Sequence, residues 1–116
     1  MKVMYFKRVS HGMHIHSSNY MTGVYVPKEN VVLTTEQHGT FGGHTYSIVD
    51  NKLFLSEMQK LLEGKDPAIP GVTYSKMKEF EYDGQKLKDL IVNLKSEKEL
   101  KKTNKSGIEE LLEAAK

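Results

Sequence analysis

The residues in this chain with most scope for chemistry are its five histidines, His11, His14, His16, His38 and His44, all within the first 44 of 116 positions. His14 and His16 form a His-x-His pair. In an extended strand successive side chains alternate, so these two imidazoles share a face about 7 Å apart. That spacing lets both converge on one ion, and imidazole nitrogen suits zinc and its neighbours. His38 and His44 flank Gly39-Thr40-Phe41-Gly42-Gly43, whose glycines permit a fold back towards the first pair. His14, His16, His38 and His44 are therefore the candidate metal ligands, with zinc or another divalent metal as the ion. The nearest carboxylate is Glu36, on a different segment from the His-x-His pair. If the histidines are not ligands, no cofactor is called for.

The same side chains support a metal-free alternative. An imidazole titrates at about pH 6.5, so one histidine can accept the 2′-hydroxyl proton of RNA while another protonates the leaving oxygen. His38 and His44, or either of them with His14, are the candidate catalytic pair for such a phosphodiesterase or ribonuclease. Thr40, Tyr46 and Ser47 are placed to hydrogen-bond the phosphate, and Lys7 or Arg8 to neutralise it. The plain alternative is that these are ordinary loop and strand-end histidines, solvated or bonded to backbone.

Two motifs carry a family likeness. His14-x-His16 is similar to the metal motif of cupins, but Ser17-Ser18-Asn19-Tyr20 stands where the motif's glutamate should follow, in a chain short for that barrel. His38-Gly39-Thr40-Phe41 and His16-Ser17-Ser18-Asn19 resemble the H-x-[ST] pairs of two-histidine phosphoesterases. The second copy lacks the following apolar residue, and 22 residues between the two histidines is too short for that duplicated fold. Neither family is assigned.

The elements that must position these side chains follow from periodicity. Val3 to Arg8 is expected as a strand apolar on both faces, hence central in its sheet. Tyr20–Val26, Val31–Thr35 and His44–Val49 are expected as further strands. Pro27-Lys28-Glu29-Asn30 is the turn between the second and third, and Gln37–Gly43 is a loop. Connections this short require antiparallel pairing. Asp50 or Asn51 caps a helix carrying Phe54, Met58, Leu61 and Leu62 on one face, which should meet Tyr5 or Phe6 and end at Gly64. Val72–Tyr82 is ambiguous, with a strand near its end as one option. Asp83 caps a second helix striped by Leu87, Leu90, Ile91 and Leu94. Ser106-x-x-Glu109 is a capping box before Ile108, Leu111 and Leu112.

The expected architecture is a single α+β domain over residues 1–116: a small antiparallel sheet of three to five strands in the N-terminal half, packed with two to three C-terminal helices. Residues 1–50 are mostly β, 51–94 helix-rich and 95–116 a basic helical tail. The charge texture marks the same change. Residues 1–50 hold four basic and three acidic side chains; the rest of the chain holds thirteen and twelve.

Composition narrows the function classes. There is no cysteine, which excludes disulfides, thiolate ligands and a cysteine nucleophile. A net charge of +2, from 17 basic and 15 acidic residues, is too balanced to mark a nucleic-acid binder. Lys95–Lys105 is locally basic but lacks arginine and aromatics, so phosphate contact there would be weak and non-specific. No apolar run approaches the roughly 20 residues of a membrane span, and charge interrupts Met1–Arg8 before a signal-peptide core can form. A cytoplasmic protein away from membranes is expected. Nucleotide-loop, Rossmann, zincin and serine-hydrolase motifs are all missing.

The leading expectation is a small, soluble, non-enzymatic binding or regulatory protein that acts through a protein partner, in the style of bacterial or phage accessory proteins, with homo-oligomers as one form. The histidine-dependent enzyme and the histidine metal site are the alternatives.

Overall fold

The computed structural model describes residues 1–10, 19–37, 44–67, 69–96 and 102–115, with the side chains at 19–20, 36–37, 44–46 and 102–106 outside that description. The element order is β1 (Lys2–Ser10), β2 (Asn19–Val26), β3 (Val31–Gln37), β4 (His44–Val49), α1 (Lys52–Leu62), β5 (Val72–Glu81), α2 (Gly84–Ser96) and α3 (Lys102–Ala115). The fold is α+β. One five-stranded sheet runs in the order β4-β3-β2-β1-β5, and every pairing is antiparallel.

Alternation along each strand divides the core in two. Val3 on β1, Val24 and Val26 on β2, and Val31 and Leu33 on β3 face Leu87, Ile91 and Leu94 of α2 and Ile108 and Leu111 of α3. Met4 and Phe6, Tyr25 and Val32 point the other way, onto Met58 and Leu61 of α1. The sheet is thus the middle layer, with α1 on one face and α2–α3 on the other. Burying each of these aliphatic side chains stabilises the fold by about 1.5–3 kcal/mol. β1 is apolar on both sides because it lies between β2 and β5 with helices above and below. The aromatic residue opposite α1 is Phe6, its ring 6.4 Å from that of Phe54; Tyr5 faces the other layer.

Local chemistry fixes the ends of the elements. Pro27–Glu29 forms a single 3-10 turn between β2 and β3, closed by Asn30 in the left-handed region with its N–H donating to the Pro27 carbonyl. Asn51, rather than Asp50, caps α1: its Oδ1 accepts from the N–H groups of Leu53 and Phe54 at 2.9 and 3.2 Å. Gly64, at φ 82, ends that helix. Its N–H reaches the Leu61 carbonyl while that of Lys65 reaches Lys60, the paired closure that a left-handed residue allows. Asp83 caps α2 through Gln85 and Lys86.

Two elements depart from the sequence expectation. The ambiguous stretch is a full strand, β5, paired along β1 from Val72 to Glu81, with a register shift opposite Tyr5 and Phe6. Its apolar alternation is masked by Lys76, Lys78, Glu79 and Glu81, which belong to an edge strand in water. α3 starts at Lys102, one turn before Ser106, so that serine lies inside the helix rather than capping it. The helix docks along Ile108, Leu111 and Ala115, all buried.

Candidate functional site

The strand directions bring the described residues that flank the histidine-bearing segments to one end of the sheet. β1 ends at Ser10, paired with Asn19 at the start of β2; β3 ends at Gln37, paired with His44 at the start of β4. These four described strand ends lie side by side at one end of the sheet. His11, His14, His16 and His38, together with Thr40, lie outside the described residues, and His44 is placed only by its register opposite Gln37. Among the described residues no three histidine, aspartate or glutamate side chains form a metal-holding group.

Of the side chains proposed to meet a phosphate, Arg8 and Ser47 occupy the α1 face of the sheet but lie on separated strands. Arg8 is held between Met21 and Tyr74 in the strand register. Its guanidinium carbon stands 5.9 Å from the centre of the Tyr74 ring, a cation–π arrangement. Its buried Nε has no hydrogen-bond partner among the described residues. The Tyr74 hydroxyl donates to Glu57 Oε2 at 2.9 Å. Burial, reinforced by this bond to a carboxylate, pushes the phenol up to about 12, so it is a neutral donor at ordinary pH and not a base. Ser47 is engaged elsewhere: its hydroxyl lies 2.8 Å from that of buried Thr34 on β3. Lys7 is on β1 and has interactions of its own. The structure brings Arg8 to Tyr74 and Ser47 to Thr34, and does not bring Arg8 to Ser47.

The two outer strands differ sharply. β5 is guarded: Lys76, Lys78, Glu79 and Glu81 line it, Lys76 and Glu79 pair at 3.1 Å, and the register shift breaks its regularity near exposed Met77. Charge and bulges are the usual defences of an exposed edge. β4 has neither. His-Thr-Tyr-Ser-Ile-Val contains no aspartate, glutamate, lysine or arginine, its register with β3 runs without a shift, and among the described residues it has a strand neighbour on one side only. In such a strand alternate residues turn N–H and C=O away from the sheet, and those groups need partners.

Two cavities are lined in part by side chains that already pair with one another. One of about 300 Å³ is lined by Lys2, Lys28, Leu62 and Glu79, and its Glu79 already faces Lys76 and Lys2, which hold its carboxyl below the ordinary range. Another of about 360 Å³ lies between α2 and α3, where Lys86 pairs with Glu110 at 3.2 Å and Gln85 with Asp89 at 3.0 Å. No helix among the described residues is long and apolar enough to cross a membrane.

Sequence reasoning placed His44 and Ser47 in a strand but missed that this strand is the undefended edge. Four charges in ten residues mark β5 as a guarded edge, but only the strand order makes β4 the other. The Tyr74–Glu57 contact had no sequence signal, since it depends on α1 crossing the sheet.

Comparison with known proteins finds no matching family model, no matching curated protein and no matching solved structure.

Proposed function

We propose that this chain is a small non-enzymatic binding protein that engages a protein partner by accepting a strand along β4. The observation that carries this reading is the contrast between the sheet's edges: β5 is charged and irregular, whereas β4 has no acidic residue, lysine or arginine, is regular, and among the described residues has a strand neighbour on one side only. Strand addition draws its affinity from main-chain hydrogen bonds and its selectivity from alternate side chains, so it needs no catalytic constellation.

Proline tests this directly. Of Thr45 and Tyr46, adjacent in β4, one directs its N–H outward and the other towards β3. Thr45→Pro and Tyr46→Pro are therefore a matched pair: one removes a donor from the open edge, the other breaks the β3–β4 ladder. The expected result is a variant that keeps the wild-type melting curve and loses the partners captured by the wild-type chain. A well-folded outward-proline variant that captures the same partners would contradict the proposal.

A second reading is a histidine site, either metal-binding or phosphodiester-cleaving, built from His14, His16, His38 and His44. Its support is that the paired strand ends Ser10–Asn19 and Gln37–His44, which flank these residues in sequence, lie at the same end of the sheet. A metal held by neutral imidazoles is released as pH falls through about 6, whereas a metal-free pair gives a bell-shaped rate profile and survives chelator. Zinc content of untagged protein and phosphodiesterase activity with and without EDTA decide between them. Neither metal nor activity, with His14→Ala and His38→Ala silent, removes this reading.

A further inference from the structure

We infer that the strand taken up by β4 is β4 of a second copy of this chain, antiparallel about a two-fold axis normal to the sheet and centred on Ser47. This rests on the open-edge reading of β4 and names its occupant. A two-fold axis normal to a sheet keeps each face on its own side, so residues that meet must share a face, and their numbers must differ by an even count. Two registers then give the fullest overlap of β4 with itself, one centred on Tyr46 and one on Ser47. Centring on Ser47 sets Thr45 opposite Val49 and Tyr46 opposite Ile48, pairing β-branched with β-branched and aromatic with β-branched residues. It also sets His44 opposite exposed Asp50 of the second copy, at both ends of the pairing. Centring on Tyr46 leaves Asp50 beyond the overlap. The Ser47 register thus sets an imidazole against a carboxylate twice and brings no like charges face to face.

The self-pairing also closes. It consumes both copies of β4 and leaves only β5 at each end of a continuous ten-stranded sheet, twice the five strands of one chain. Lys76, Lys78, Glu79, Glu81 and the register shift at β5 oppose further addition. The assembly therefore stops at a dimer and does not grow as a fibre.

Sedimentation equilibrium across a range of concentrations tests this, with circular dichroism to confirm that each variant folds. The wild-type chain should approach twice its 13.2 kDa as concentration rises. Asp50→Lys should weaken the dimer roughly tenfold by removing the carboxylate opposite His44, and adding His44→Asp should restore it with a lysine–aspartate pair. A wild-type chain that stays monomeric at every concentration overturns self-pairing and leaves β4 open to a foreign strand, which the proline variants test separately. A dimer indifferent to Asp50→Lys and to both proline variants places the interface elsewhere, overturning self-pairing and weakening the open-edge reading with it. A dimer that loses its affinity in Asp50→Lys but is not rescued by the double variant rejects the Ser47 register.

Discussion

The hydroxyls of Thr34 and Ser47 lie 2.8 Å apart across directly paired residues of β3 and β4, and this contact fastens the outermost strand to the sheet. Thr34 is only 3% exposed, while Ser47 is half-buried and can reach water. The two ends of the bond are therefore unequal. Ser47→Ala leaves the buried Thr34 hydroxyl with only the Ser47 carbonyl at 3.5 Å, and should cost about 1–3 kcal/mol. Thr34→Val leaves a serine that water can satisfy and should cost about 1 kcal/mol or less. Urea melts of the two variants should rank them in that order; equal costs would mean that Thr34 is not the dependent partner.

The α1 layer rests on Met58 and Leu61 packed over Met4, Phe6, Tyr25 and Val32. Leu61→Ala should destabilise the chain by roughly 2–5 kcal/mol in denaturant melts, the range for emptying a packed site. A change close to zero would mean that α1 does not contribute its apolar face to the core.

Gly23 lies beneath Phe6, where a Cβ would come within 2.9 Å of the ring and of the Leu33 carbonyl oxygen. Gly23→Ala should cost about 1–3 kcal/mol by overpacking. Adding Phe6→Leu should recover only part of that loss, because the backbone carbonyl stays in place. Full recovery in thermal melts would show that the ring alone sets the constraint.

Tyr74 makes the fold sensitive to alkali. Its phenol titrates at about 12 in the folded chain, above the ordinary value of 10.0, so the folded state favours the protonated form. The stabilisation is complete below pH 10 and declines as pH rises through 12. Tyr74→Phe, which has no proton to lose, should flatten this part of the stability curve. An ultraviolet titration with every phenolate appearing near pH 10 would contradict the buried Tyr74–Glu57 contact.

The sheet and its helices were legible because their signals are local and repeated: β-branched alternation at Val31–Thr35, the Asn51 and Asp83 caps, and the 3.6-residue stripes of α1 and α2. β5 was obscured because an edge strand replaces apolar residues with charge on its watered positions, which removes the pattern that marks a strand. Ser106 misled because a capping box is a four-residue signal, whereas the helix is set by the longer stripe of Ile108, Leu111 and Ala115 against the sheet. The candidate site was legible only in part. His44 and Ser47 were singled out as chemical groups, but the openness of β4 is a property of strand order, which no single segment encodes.

The central claim is that β4, and not β5, is the edge that accepts a strand. Residue-resolved amide hydrogen exchange across β4 and β5, in dilute and in concentrated protein, tests it most directly. In dilute solution β4 should show alternation, with amides facing β3 protected and those facing outward exchanging freely. On concentration the outward amides should slow while those of β5 stay unchanged. Protection of β4 amides without alternation in the dilute monomer, or protection gained along β5 instead, would contradict the account.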